Sequence, residues 1–122
     1  MSNEEAKRVI ITGSRTWPDE KRLTEALDRV WDEIGPFTLV HGAARGADQM
    51  GEIHQAALHR PTESHPADWE RFGKRAGYVR NAEMVSLGAD LCVAFIHNES
   101  RGASMCADLA DKAGIETRRY LA

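Results

Sequence analysis

The chain reads as an α/β domain built on a doubly wound, mostly parallel sheet of about five strands with helices on both faces. Three observations predict this. The strand segments are short, almost wholly apolar runs; helical segments alternate with them; and glycine follows the first two strands directly. A strand that is apolar on both sides must be covered on both sides. Strands that alternate with helices run parallel, because the helix is the crossover.

The elements follow in order. Arg8-Val-Ile-Ile-Thr-Gly13 is a β-branched run that ends in glycine, a buried strand. Thr16-Trp17-Pro18-Asp19 then opens a helix, with Thr as cap, Pro in the first turn and Asp suited to the dipole. Leu23, Leu27, Val30, Trp31 and Ile34 share one helical face, Trp31 as core, and Gly35-Pro36 stops the helix. Phe37 to His41 is the second strand. Gly42 to Gly46 forms a tight loop into a second helix, whose core face is expected at Ala47, Met50, Ile53, Ala57 and Leu58. From Pro61 to Asp68 the chain is polar with two prolines, leaving room for a short edge strand near Glu63-Ser-His65. Trp69 to Gly77 is a loop or broken helix, and Tyr78 to Leu87 a helix closed by Gly88. Asp90 to Ile96 is the clearest buried strand. Ala103 to Ala113 forms the next helix, ended by Gly114, and Ile115 to Tyr120 the final strand. The architecture expected is Rossmann-like.

The 122 residues make a single domain (1–122), with residues 1–7 as a polar or disordered tail. An apolar share of 42% is enough for a real core, and a net charge of −3 argues against a general binder of nucleic acid or anionic membrane. The acidic start MSNEEAKR and the absence of a long apolar stretch exclude a secretory signal and a membrane span, so the cytoplasm is expected. Cys92 and Cys106 belong to no C-x-x-C pair and read as reduced core thiols.

Ligands of open parallel sheets bind outside the carboxyl ends of the strands, where helix N-termini point. Three loops fall there: Gly13-Ser14-Arg15, Gly42-Ala43-Ala44-Arg45-Gly46-Ala47-Asp48, and Glu99-Ser100-Arg101-Gly102-Ala103-Ser104. Each has a glycine, which lets backbone N–H groups come close to an anion, and an arginine, whose planar fork suits phosphate. One such loop is as readily a plain turn; three on one edge of an acidic protein point to an anion site. Asp48, in the first turn of its helix, suits the dipole, and is also placed to accept from a ribose hydroxyl or to support the loop. Trp69 can stack on a base or cover the core, with Asp68 beside it as a ribose acceptor. Arg80-Asn81 can reach the ligand from the side or lie on a solvated face.

Familiar alternatives fail. There is no G-x-G-x-x-G after the first strand, no Gly-Lys-[Ser/Thr] loop and no G-x-S-x-G elbow. The five histidines lack ligand spacing, so no metal or cofactor is called.

The motifs Gly13-Ser14-Arg15-x-Trp17, His41-Gly42-x-x-x-Gly46-Ala47-Asp48, Ala67-Asp68-Trp69, Ala76-Gly77-x-x-Arg80-Asn81-x-x-Met84, and Ala94-Phe95 followed by Arg101-Gly102-Ala103-Ser104 occur in that order. Together they resemble the YspA/YpsA-related family of the SLOG superfamily, which also holds the Smf/DprA and Lonely Guy proteins. The resemblance runs from about residue 8 to residue 120. It implies a nucleotide or nucleotide-derived ligand, sensed or sequestered, and a homodimer. Lonely Guy enzymes hydrolyse the N-glycosidic bond of nucleoside monophosphates with a Gly-Gly-x-Gly-Thr-x-x-Glu pattern. Laid on Gly102, it puts Ala103 at the Thr and Cys106 at the catalytic Glu, while Asp108 lies roughly 200° around the helix from Cys106.

The expected ligand contacts are thus Gly13, Ser14, Arg15, Gly42, Ala43, Arg45, Gly46, Asp48, Asp68, Trp69, Arg80, Asn81, Arg101, Gly102, Ala103 and Ser104. The alternative is an N-glycosidase or phosphoribohydrolase, for which Asp48 and Asp68 are the candidate catalytic carboxylates. A single-stranded DNA binder fits poorly with the acidic charge. The partners expected are a small nucleotide-like ligand and a second copy of the chain, with no extended nucleic acid and no membrane.

Overall fold

The computed structural model describes residues 7–122. Its elements are β1 (Lys7–Gly13), α1 (Glu20–Ile34), β2 (Phe37–His41), α2 (Ala47–Ala57), β3 (Thr62–Ser64), α3 (Trp69–Phe72), a 3-10 turn (Gly73–Arg75), α4 (Ala76–Ser86), β4 (Leu91–Ile96), α5 (Arg101–Lys112) and β5 (Thr117–Leu121). Residues 1–6 of the expected tail lie outside the described residues, and Lys7 opens β1 opposite Phe37. The five strands are all parallel in the order β3-β2-β1-β4-β5. No described helix is long and apolar enough to cross a membrane.

The alternation of side chains along each strand divides the core into two layers. Val9, Ile11, Leu39, Val93 and Phe95 meet Leu23, Leu27 and Val30 of α1 on one face. Ile10, Val40 and Cys92 meet Met84 and Val85 of α4 and Cys106 and Ala110 of α5 on the other. Each fully buried Val, Leu, Ile, Phe or Met among them contributes roughly 1.5–3 kcal/mol by leaving water. β1 and β4 are neighbours whose following helices cover opposite faces, so the crevice between their carboxyl ends is the switch point of the sheet.

Three local expectations are corrected. Asp19, rather than Thr16, caps α1 by accepting from the Arg22 amide at 3.0 Å, and Trp17 turns inward to meet Phe95 edge-on at 5.2 Å. Trp31 is only partly buried and carries the Arg60 guanidinium 4.2 Å from its ring centre. The inward face of α2 is Ala47, Asp48, Gly51 and Gln55, while Ile53 is 61% exposed and Leu58 and Ala57 are also outside. α2 lies so close to the sheet that a methyl on Gly51 would press on Ile11 and Leu39. Small residues set the contact line there, and bulky apolar ones are turned away. The edge strand expected near Glu63 is present as Thr62–Ser64, held by pairing with β2.

Arg8 fastens the edge of the sheet. Its guanidinium makes a forked pair with Glu63 at 2.7 and 2.9 Å, and its Nε donates to the Gly88 carbonyl at 3.1 Å. His65 lies 2.6 Å from the same Glu63 carboxylate. Hydrogen bonds from Arg8 and His65 hold the Glu63 carboxyl well below its ordinary 4.5, at about 2. A carboxyl lowered in the folded state stabilises above its unfolded value and loses that contribution as pH falls through its folded one. Allowing for screening of this partly exposed pair, Glu63→Gln is expected to lower unfolding stability at pH 7 by about 1 kcal/mol. The same variant should flatten the acid loss of stability between pH 4.5 and about 2, read by denaturant titration at several pH values.

Candidate functional site

Ser14 joins three elements at the end of β1. Its amide donates to the Phe95 carbonyl at 2.9 Å, and its hydroxyl accepts from the His97 amide at 2.8 Å. Its carbonyl accepts from the Ala47 amide at 3.3 Å, so β1, β4 and the first turn of α2 meet at one residue. The same hydroxyl donates to the His97 carbonyl at 3.3 Å, which leaves it one acceptor lone pair. Gly46, which precedes α2, has φ of 79° and lies against the Ser14 carbonyl and the Arg15 backbone. Neither the dihedral nor the space admits a side chain there.

The β2–α2 loop is organised from beneath by Asp48. Its Oδ2 accepts from the amides of Gly42 at 3.0 Å and Ala44 at 3.4 Å, while Oδ1 is buried without a hydrogen-bond partner. Burial pushes the Asp48 carboxyl above its ordinary value, with the two amides and the Arg80 guanidinium pulling the other way. His41 accepts from the Ala43 amide through Nδ1 at 3.0 Å, so its Nε2 carries the proton and donates to Glu52 at 2.9 Å.

Arg80 enters from α4. Its Nε donates to Asn81 at 2.7 Å and its Nη1 to the carbonyl of Gly42, against which the guanidinium lies so tightly that Gly42 has no room for a Cβ. Nη2 has no partner among the described residues, and it lies beside Gly77. Trp69, 52% exposed, also borders Gly77, so the missing side chain there leaves room for ring and guanidinium together.

These groups surround a cleft of about 450 Å³ at the switch point. Among the expected residues, Gly13, Ser14, Arg15, Asp48, Trp69, Arg80, Asn81, Gly102 and Ala103 line it. Gly42, Ala43 and Arg45 line an adjoining recess of about 360 Å³. Gly46, Asp68, Arg101 and Ser104 are on neither wall. Asp68 is exposed and caps α3 by accepting from the Arg71 amide at 3.1 Å. Arg101 is exposed at the first residue of α5, and Ser104 donates its amide back to Ser100 within the helix. Thr12, Ala44, Gly77, Tyr78, Met84 and Ser100 also line the cleft and were not among the expected contacts, although all but Thr12 and Tyr78 stand in the loops and motifs above. The spacing of Gly77, Arg80 and Met84 on one helical face was the available signal; Thr12 gave none, being an ordinary residue inside an apolar strand.

Among the described residues no carboxylate pairs with Arg15, Arg45, Arg80 or Arg101, nor with Arg22, Arg29, Arg71 or Arg75, whereas Arg8, Arg60, Arg118 and Arg119 are paired. Among the same residues no group of three or more His, Cys, Asp or Glu could hold a metal ion. Cys106 is buried in the α4–α5 layer, its thiol pushed up to about 11 by burial, and Asp108 faces outward to Arg119 at 3.0 Å.

An all-parallel sheet in this order, with a cleft at its switch point, defines a doubly wound α/β domain of the Rossmann-like class. The chain belongs to the YAcAr family, the YspA, cpYpsA-related SLOG family, whose sequence profile matches residues 7–72. That span runs from β1 through α3, and so leaves Arg80 and the α5 loop outside it. The chain is 44% identical over 115 residues to the Gene 61 protein of Mycobacterium phage D29, covering 89% of this chain and 92% of that protein. No solved structure matches it. Membership of the SLOG family suggests nucleotide-related binding.

Asp48 separates two effects that one substitution series resolves. A carboxyl raised by burial favours the folded state in acid, and that contribution is lost as pH rises through its folded value. Asp48→Ala, which strands the Gly42 and Ala44 amides, is expected to lower stability by about 1–3 kcal/mol. Asp48→Asn keeps an acceptor and removes the buried charge, so at pH 7 its stability should match or exceed that of the parent. Urea unfolding of both variants decides it; an Asn variant as weak as the Ala variant would mean that the charge itself holds the loop.

Proposed function

We infer that the chain binds a nucleotide or nucleotide-derived ligand in the switch-point cleft, as a sensing or sequestering domain. The observation that carries this is the uncompensated positive charge on one edge of an acidic protein. Among the described residues Arg15 and Arg80 line the cleft without a carboxylate partner, whereas Arg8 of β1 and Arg118 and Arg119 of β5 are paired. An unpaired guanidinium held in place favours an anion, and its planar fork suits phosphate. Trp69 offers an exposed ring beside the charge, as a base would need. The first amides of α5, free of intrahelical acceptors, point toward the same edge.

A second reading, hydrolysis of an N-glycosidic bond, is favoured by one observation. Asp48 borders the cleft, and burial raises its proton affinity, the property required of a general acid. In that reaction the bond from the sugar C1′ to the base nitrogen breaks, water adds at C1′, and the departing base takes a proton. Asp68, the other candidate carboxylate, lines neither the cleft nor the recess and caps α3 through Oδ1.

A thermal-shift screen against nucleoside mono- to triphosphates, ADP-ribose and dinucleotides, with chromatography of each mixture, tests both readings. At saturating ligand the midpoint is expected to rise by roughly 5–20 °C. Arg15→Ala should weaken the affinity of the active compound by roughly 10–100-fold. Intact ligand after incubation supports sensing, and free base supports hydrolysis. A panel without any shift, or an Arg15→Ala variant of unchanged affinity, would remove the cleft as the binding site.

A further inference from the structure

We propose that the ligand is two-lobed: two nucleoside-like moieties joined by an anionic bridge, rather than a single mononucleotide. This rests on the nucleotide reading above and narrows it. The 450 Å³ cleft and the 360 Å³ recess are each large enough for a small ligand site. Arg15, Ala44, Trp69 and Arg80 line both, so the two spaces adjoin along a shared border, the waist, that includes two arginines. Neither of these arginines has a carboxylate partner among the described residues. Two arginines are therefore common to both spaces, and Arg45 adds a third on the recess side alone.

A mononucleotide with its phosphate at the waist fills one space and leaves the other to water. A ligand with a phosphate bridge at the waist places an uncharged moiety on each side. The walls are unlike, so the two moieties need not be the same. The first space has Tyr78 on its rim, half-exposed, and Asp48 and Asn81 among its walls. The second lies between the Gly42–Arg45 loop and Pro66-Ala67, with Trp69 as its only aromatic wall. The ring of Trp69 borders both spaces and is available to whichever moiety stacks on it.

Calorimetric titration of the full chain with AMP and GMP, and with adenosine and guanosine dinucleotides bridged by pyrophosphate or longer polyphosphate, tests the proposal. For one base or the other the bridged compound is expected to bind roughly tenfold or more tightly than its monophosphate. Ala67→Trp, which fills the second space, should lower that ratio, and so should Arg45→Ala on the exposed loop beside it. An unchanged thermal midpoint shows that the Trp variant is folded. Equal affinities for bridged and single nucleotides, or a ratio untouched by both variants, would overturn the two-lobed ligand and leave the nucleotide reading intact. Failure of every compound to bind would overturn that reading together with this one.

Discussion

Asp48 holds the β2–α2 loop from underneath, with one oxygen on the Gly42 and Ala44 amides and the other without a partner. Most features of the carboxyl edge depend on this arrangement. Gly42, fixed by the carboxylate through its N–H, presents its carbonyl to Arg80, and Arg80 is thereby set against the loop. Ala43, turned to a φ of 57°, gives its amide to His41, whose other nitrogen is anchored on Glu52 of α2. A buried carboxylate is expensive to desolvate, and a buried oxygen without a partner adds to that. The fold tolerates both because two amides, a nearby guanidinium and the first turn of α2 lie around it.

The distribution of paired and unpaired arginines has a physical logic. Arg8 ties the central strand β1 to the edge strand β3 through Glu63, and Arg118 and Arg119 tie the edge strand β5 to α1 and α5 through carboxylates. Arg80 is held differently, by a backbone carbonyl and the Asn81 side chain, neither of which neutralises it. Its orientation is fixed while its charge stays available. Fixing a long side chain before a ligand arrives removes an entropic cost from binding. Arg15 and Arg45 are exposed and keep more freedom, so Arg80 is the best-ordered cation of the edge.

Much of the fold was legible because the strands are buried on both faces and the loops between elements are short. Val9 to Ile11, Val40 and Cys92 to Phe95 announce a covered parallel sheet through composition alone. What was illegible depended on distance between elements. The inward face of α2 could not be read from apolar spacing, because Gly51 sets how closely the helix approaches, and that brings Asp48 and Gln55 inside. Trp17 looked like a helix-end residue until Phe95, from a strand far along the chain, supplied its contact. At the site the residue types were readable, but the local hydrogen bonds they make were not. Ser14 is a strut between strands, and Asp68 a helix cap; each type serves local hydrogen bonding as well as ligand binding.

Binding and hydrolysis make different demands on this edge, and the surroundings of α5 favour binding. Hydrolysis of the Lonely Guy kind needs a carboxylate on the first turns of α5, facing the sugar. At that position stands Cys106, closed into the apolar layer with Ile10 and Met84 and held as a neutral thiol. Asp108, the nearest carboxylate along the helix, is committed to Arg119 on the outside. Among the described residues Asp48 is left as the single carboxylate bordering the cleft, and it is engaged in holding the loop through Oδ2. A group that must keep two backbone amides in place is poorly free to trade protons during a reaction. In the binding reading proposed above, it keeps in shape the loop that lines the cleft.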